Sequence, residues 1–430
     1  MSPRTTRPKR EGFVAALGLT ALSLLVVILH LAAYRQVAPV DEFQHIDSAW
    51  KVSHGLLPRR GERVGGVAME IEACRGLDAD YPLPACGPKG PSDRPQFQED
   101  GFNTAYIHAP VYYAVAGISG RALNKVGLTD FLDGARLTGA LWLALGLVGG
   151  WVLLGMFGLS GWWRFAAAAL PVLLPGVVYT SSIVNPDATA LAAGAWLAVA
   201  AVAVARGRWP AWTAVVAAAA AVVLKSTNLV AVGAVAMVLL ATAIRDPSRR
   251  RALVATATGC VAAVGAVTFA WLTVLGPGKR GVIPMEERFK VGELTGWMIS
   301  HNLTVAVPPT NGIYDAILGA GAWTLAVGAV LGWLVGAGPL IAVVKGGDDD
   351  LRTLAGSALL AAFAVGPVFV VVQYLLSSTY VDIPGRYGLS LLPALVAVTV
   401  AVASPHKWRL WTSLVVAGTA LVLVQLVASI

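Results

Sequence analysis

Apolar residues in this chain fall into long uninterrupted runs, at 13–34, 137–157, 164–183, 188–205, 252–275, 318–341, 353–376, 388–403 and 409–429. Most approach the roughly 20 residues that an α-helix needs to cross a bilayer. A further run, 211–244, is too long for one crossing and is interrupted by Lys225, Ser226, Thr227 and Asn228. It predicts two short spans meeting at a polar turn, a break that membranes tolerate only where it lines a polar cavity. The pattern therefore predicts an all-α polytopic membrane protein of about eleven transmembrane helices.

Parity and charge orient the spans. Arg4, Arg7, Lys9 and Arg10 precede the first run, and such basic flanks stay in the cytoplasm. That run is also too long for the hydrophobic region of a signal peptide, so a retained anchor is expected. The segment 105–123 is apolar but carries His108, Pro110, Ser119, Gly120 and Arg121. If it lies in the interface, the basic positions at Arg164, 206–208, 245–251, 345–352 and 406–409 all become cytoplasmic; if it crosses, 206–208 and 245–251 fall outside. An interfacial helix is the consistent choice.

One membrane domain, 1–430, follows: a first span at 13–34, a large extracytoplasmic loop at 35–134 with interfacial helices, central spans at 135–275, a second outer loop at 276–312 and C-terminal spans at 313–430. The chain is 57% hydrophobic and 13% charged, with a mean hydropathy of +0.69. Its net charge of +8 lies in short loops between apolar runs, which fits positive-inside topology rather than nucleic-acid binding. The abundance of Ala, Gly, Val and Arg points to a bacterial source, hence a bacterial inner membrane with the N-terminus cytoplasmic.

This topology gathers scattered polar residues on the outer face: Asp41, Glu42, His45, His108, Arg136, Asn185, Asp187, Lys225, Arg386 and the Glu286-Glu287-Arg288 group. Ionisable groups at membrane depth are costly and commonly functional. From Asp41 to His54, Phe43, Ile46 and Trp50 share one helical face while Asp41, Gln44, His45 and Ser48 share the other, predicting an amphipathic helix on the membrane surface. The plainer role for Asp41 is an N-cap. Arg136 has a plainer role as a snorkelling side chain, and Asp187 as part of a helix cap. Cys74 and Cys86 share the first outer loop, where an oxidising compartment permits a disulfide; two free thiols are the alternative. Cys260 lies in a span as a packing residue.

In order along the chain stand an acidic pair with a following histidine (Asp41, Glu42, His45), His108-Ala109-Pro110-Val111-Tyr112-Tyr113, an Arg-led span at Arg136, Asn185-Pro186-Asp187 and Gly385-Arg386-Tyr387. Together these landmarks resemble the GT-C superfamily of integral-membrane glycosyltransferases, closest to its bacterial branch. Members of that family typically have two prolines where this chain has Ala109-Pro110. The resemblance implies transfer of a sugar from a polyprenyl-phosphate carrier to an envelope glycan, glycolipid or protein at the outer face, with membrane lipids as the other partner.

In that scheme Asp41 is the base for the acceptor hydroxyl. Glu42 raises its proton affinity by like-charge proximity, and His45 either orients it or contacts the acceptor. Arg136, Lys225 and Arg386 bind the donor phosphate, while His108, Tyr112, Asn185 and Asp187 line the site. A divalent metal ion is the candidate cofactor, with Asp41, His108 and Asp187 as its candidate ligands. The competing functions are a transporter or flippase of a lipid-linked substrate and a non-catalytic envelope-assembly subunit. No internal repeat is visible and the charges gather at one outer boundary, which favours the enzyme.

Overall fold

The computed structural model describes residues 7–39, 41–77, 81–275, 287–307, 322–345 and 348–403, with isolated positions 418, 420 and 427. Among the described residues the structure is helical and contains no strand, only isolated bridges. Among the described residues seven helices are long and apolar enough to cross a membrane, and two apolar helices are shorter. The chain is a multi-pass membrane protein. Seven is fewer than the eleven spans expected. Two of the missing four are the shorter apolar helices, and a third, the run 409–429, lies almost wholly outside the described residues. The fourth is the run 164–183, expected as one span, which passes through the bundle in pieces: α7 (Gly161–Ala169), a 3-10 turn (Leu170–Leu173) and α8 (Pro175–Thr180). Pro171 and Pro175 lack the N–H that a continuous helix would require of them.

The bundle is built around α9 (Ala190–Ala205), an almost wholly buried helix of Ala, Val and Leu. Small residues let backbones approach closely where lipid offers no hydrophobic driving force between helices. At Gly194 a Cβ would collide with the Ser390 carbonyl. Around α9 pack α6 (Thr138–Met156), α10 (Trp212–Leu224), α11 (Leu229–Arg245) and α16 (Leu392–Val402). Outside these lie α1 (Arg7–Ala33) against α6, α12 (Arg250–Leu275) along α10 and α11, and α14 (Ala322–Lys345) and α15 (Asp349–Ser377) against α16. α10 and α11 meet at the polar break 225–228.

The two bundle ends are closed differently. At one end Arg206 Nε donates to Asp350 at 2.7 Å, Arg245 lies 3.6 Å from the same carboxylate and Arg249 donates to the Val204 and Ala205 carbonyls. At the other end the first large loop forms a cap of α2 (Glu42–Ser53), α3 (Gly66–Arg75), α4 (Val111–Lys125) and α5 (Phe131–Arg136), braced by the Cys74–Cys86 disulfide. α2 does not lie exposed on a membrane surface as its amphipathic pattern suggested. Its polar face is buried as well: Asp47 accepts from Gly65 N at 2.8 Å and Asn103 Nδ2 at 2.6 Å, and pairs with Lys51 at 2.7 Å. Of the expected second outer loop, residues 287–307 are described and include the short helix α13 (Gly296–His301). Glu286 lies outside the described residues.

A buried ion pair joins α2 to α5 inside the cap, and its remaining hydrogen bonds reach the end of α1 and the turn before Asn185. Arg136 and Glu42, both fully buried, meet through two bonds of 2.8 and 2.7 Å. Glu42 also accepts from Ala38 N at 2.7 Å and Val184 N at 2.8 Å, and Arg136 donates to the carbonyls of Tyr34 and Gln36. Removing one member of a buried pair leaves an uncompensated charge. Arg136→Ala is therefore expected to cost about 3–5 kcal/mol and to lower the thermal midpoint of the purified protein in detergent, read by size-exclusion recovery after heating.

A second buried carboxylate gives the cap a pH dependence. Glu72 Oε1 accepts from Gln98 Nε2 at 2.8 Å, whereas Oε2 is buried without a partner. Burial pushes this carboxyl up from its ordinary 4.5 to about 8. The folded chain keeps this proton over a range where the unfolded chain has released it, so the stabilisation is full below about 4.5 and is lost as pH rises through about 8. Glu72→Gln is expected to remove that loss, leaving the melting temperature flatter between pH 6 and about 9 than in the wild type.

Candidate functional site

Asp41 immediately precedes the anchored Glu42 and has a left-handed backbone, φ 60° and ψ 2°. A non-glycine residue seldom adopts this conformation, and doing so costs about 1 kcal/mol. Its side chain makes no capping bond to α2. The carboxylate is half-exposed, 51%, and accepts instead from Arg386 Nη2 at 3.2 Å. The plain N-cap role is therefore not what the geometry shows.

Asn185 follows Val184, whose amide is held by Glu42. Its side chain accepts from Asp187 N at 2.9 Å, and with Pro186 at the first position this closes the 3-10 turn Pro186–Thr189. The turn aims the buried Asp187 at two cations. Lys225 bonds to Oδ1, and Arg386 Nε lies 3.1 Å from Oδ2. Lys225 reaches it because the chain turns extended at the end of α10, where Asn228 Nδ2 caps the Ala221 carbonyl at 2.9 Å. Lys225 Nζ and Arg386 Cζ lie 5.1 and 5.5 Å from the Tyr387 ring, a distance at which the ring face attracts cations.

Two histidines face this ion network. His45 Nδ1 bonds to Tyr113 Oη at 2.8 Å, His108 Nδ1 lies 3.4 Å from Ser226 Oγ, and the imidazole rings are 5.9 Å apart. Burial first, then the neighbouring positive charge, holds both below the usual histidine range: His45 well below and His108 down to about 3. Both rings are neutral at ordinary pH and offer one donor and one acceptor each. Tyr112 is buried beside Tyr113, at the Asn185 backbone.

The structure thus gathers Asp41, His45, His108, Asn185, Asp187, Lys225 and Arg386 in one place, with Tyr112 in the adjoining layer. It puts Glu42 and Arg136 beneath that cluster, bonded to each other. All the acceptor positions observed on Glu42 and four of the N–H groups of Arg136 are spent there. Sequence reasoning missed Tyr113, Ser226 and Tyr387. Each directly adjoins a residue it singled out, which was the available signal. Among the described residues no three His, Cys, Asp or Glu side chains are grouped to hold a metal ion. Of the candidate ligands, Asp187 already has both oxygens on cations.

Chemically, the cluster presents a partly open carboxylate, a buried cation at Lys225 and a partly buried one at Arg386 that share a second carboxylate. No protein-family model matches the chain, and no curated protein matches it. Among solved structures it is similar to ArnT from Cupriavidus metallidurans bound to undecaprenyl phosphate, with a TM-score of 0.45, 15% identity and coverage of 92% of this chain and 61% of that one. The apo state of the same protein gives a TM-score of 0.43, 16% identity and coverage of 92% and 62%. The chain spans less than two thirds of the length of these two structures.

Proposed function

We propose that this chain is a GT-C-type glycosyltransferase that moves a sugar from a polyprenyl-phosphate donor to a cell-envelope acceptor at the extracytoplasmic end of the bundle. The observation that carries this reading is the half-exposed Asp41 carboxylate beside two cations, Lys225 and Arg386, which the buried Asp187 holds in place. An acceptor hydroxyl attacks the anomeric carbon as the bond from that carbon to the phosphate oxygen breaks. The hydroxyl proton passes to Asp41, and the departing lipid phosphate takes both bonding electrons.

No acid is required at the leaving group, but its charge needs fixed cations at a dry site. Arg386 suits a planar two-point contact with phosphate, and Lys225 supplies a compact charge. The neutral His45 and His108 contribute hydrogen bonds without adding charge. Glu42 and Arg136 act only by holding Asp41 and Asn185 in place.

The decisive experiment reconstitutes the protein with labelled polyprenyl-phosphate sugars and envelope extract. Undecaprenyl carriers are the first probe, since that lipid is bound in the ArnT structure. Asp41→Asn is expected to lower transfer by about 10²-fold or more while donor binding changes little. Arg386→Ala and Lys225→Ala should weaken donor binding by about tenfold or more. Full transfer by Asp41→Asn would overturn the base assignment. Orientation is tested by labelling a cysteine placed at Gly207, in the wild-type background where Cys74 and Cys86 are bonded and Cys260 is buried. Reaction only from the cytoplasmic side is expected; labelling from outside overturns the placement of the site.

A further inference from the structure

On the flank of the cap away from the Asp41 cluster, two cavities meet at one arginine. The first, about 630 Å³, lies between the end of α1 and α5, with Ile28, Leu31 and Leu137 as apolar wall and Arg35 on its lining. The second, about 860 Å³, lies between α3, α4 and α5, walled by Trp50, Ile71, Ile118 and Leu132 and edged by Arg121 and Lys125. Arg75 lines both and is held on Asp130 and Asp133. Trp50 is about 13 Å along α2 from Asp41, so this groove is separate from the ion network.

Three features identify an occupant. Leu24, Leu25 and Ile28 are exposed along the end of α1, a helix long enough to span the bilayer, so the first cavity opens where lipid tails lie. The apolar surface continues over the exposed Ile118, Val126 and Leu128 of the α4 region. Arg35, Arg121 and Lys125 form no ion pair among the described residues, and Glu70 is the unpaired carboxylate set against them. An excess of unpaired cations above an apolar cleft matches a lipid with an anionic headgroup.

We propose that the joined grooves bind an anionic glycerophospholipid of the leaflet at the Asp41 end. Its acyl chains lie along Ile28, Leu31 and Leu137, and its headgroup lies at the Arg121–Lys125 edge rather than on Arg75, whose charge Asp130 and Asp133 already take. The site is independent of the sugar-transfer cluster. A bilayer lipid seated there would fix the depth of the cap relative to the membrane surface.

The test is native mass spectrometry of the purified full-length protein, delipidated and then exposed to equal amounts of phosphatidylglycerol and phosphatidylcholine. Wild type is expected to retain phosphatidylglycerol preferentially, and Arg121→Ala combined with Lys125→Ala to reduce that preference by about tenfold. Ala122→Trp, at an exposed groove position, should lower retention by filling space without changing charge. Arg386→Ala should leave phosphatidylglycerol retention unaltered. A thermal melt identical to wild type qualifies each variant as folded. Equal retention of the two lipids, no effect of the charge variant, or loss of the lipid in Arg386→Ala would each overturn the proposal.

Discussion

The Glu42–Arg136 pair is the constraint on which the rest of this structure depends. An ion pair taken fully out of water is costly unless every lone pair and proton finds a partner. Here the carboxylate accepts four hydrogen bonds and the guanidinium reaches two backbone carbonyls as well. Those partners belong to the exit of α1, the start of α2, the end of α5 and the turn before Asn185. The pair therefore fixes four chain segments at one point. Asp41 is one residue from Glu42, and Asn185 one residue from Val184, so the chemistry sits one peptide unit from the anchor on each side.

Charge balance explains how so many ionisable groups persist at the end of an apolar bundle. Asp41, Arg386, Asp187 and Lys225 alternate in sign along a chain of contacts, so the buried Asp187 and Lys225 and the partly buried Arg386 each have an opposite neighbour and the four sum to zero. The two imidazoles remain neutral because burial and the adjacent cations both oppose protonation. A phosphate entering this network would compete with Asp187 and Asp41 for the same cations. Affinity for such a ligand is thus the difference between two charge-assisted contacts rather than the strength of one.

Much of this arrangement was legible in the sequence. The polar interruption at 225–228 marked a real break because four polar residues cannot stay in a continuous apolar helix without lining something polar. Asp187 and Arg386 were visible as isolated charges at span ends. What could not be read was partner choice. Glu42 and Arg136 are far apart in sequence, and an acidic residue beside Asp41 looks the same whether it tunes its neighbour or anchors a distant arginine. The amphipathic pattern of 42–53 was ambiguous for a similar reason. A polar face that meets Asn103 and Gly65 has the same periodicity as one that meets water. The broken run 164–183 did carry its signal, in Pro171 and Pro175, but hydropathy alone passes over it.

The two ends of the bundle obey different physics, and this decides which part yields to a ligand. At the Arg206–Asp350 end the partners are part-exposed surface pairs, each worth little and screened by salt. At the Asp41 end the anchoring pair is dry and saturated, so deformation there leaves charges unpaired. Between these extremes lies Arg386, on a 3-10 turn, Gly385–Leu391, whose hydrogen bonds are weaker than those of an α-helix. Its guanidinium is bonded at 3.1 and 3.2 Å to two carboxylates, one of them half-exposed. Of the cluster's links, the Arg386–Asp41 contact is therefore the softest. Breaking it exposes the Asp41 carboxylate while Asp187 keeps the arginine in register, so the base can be uncovered without dismantling the cation pair.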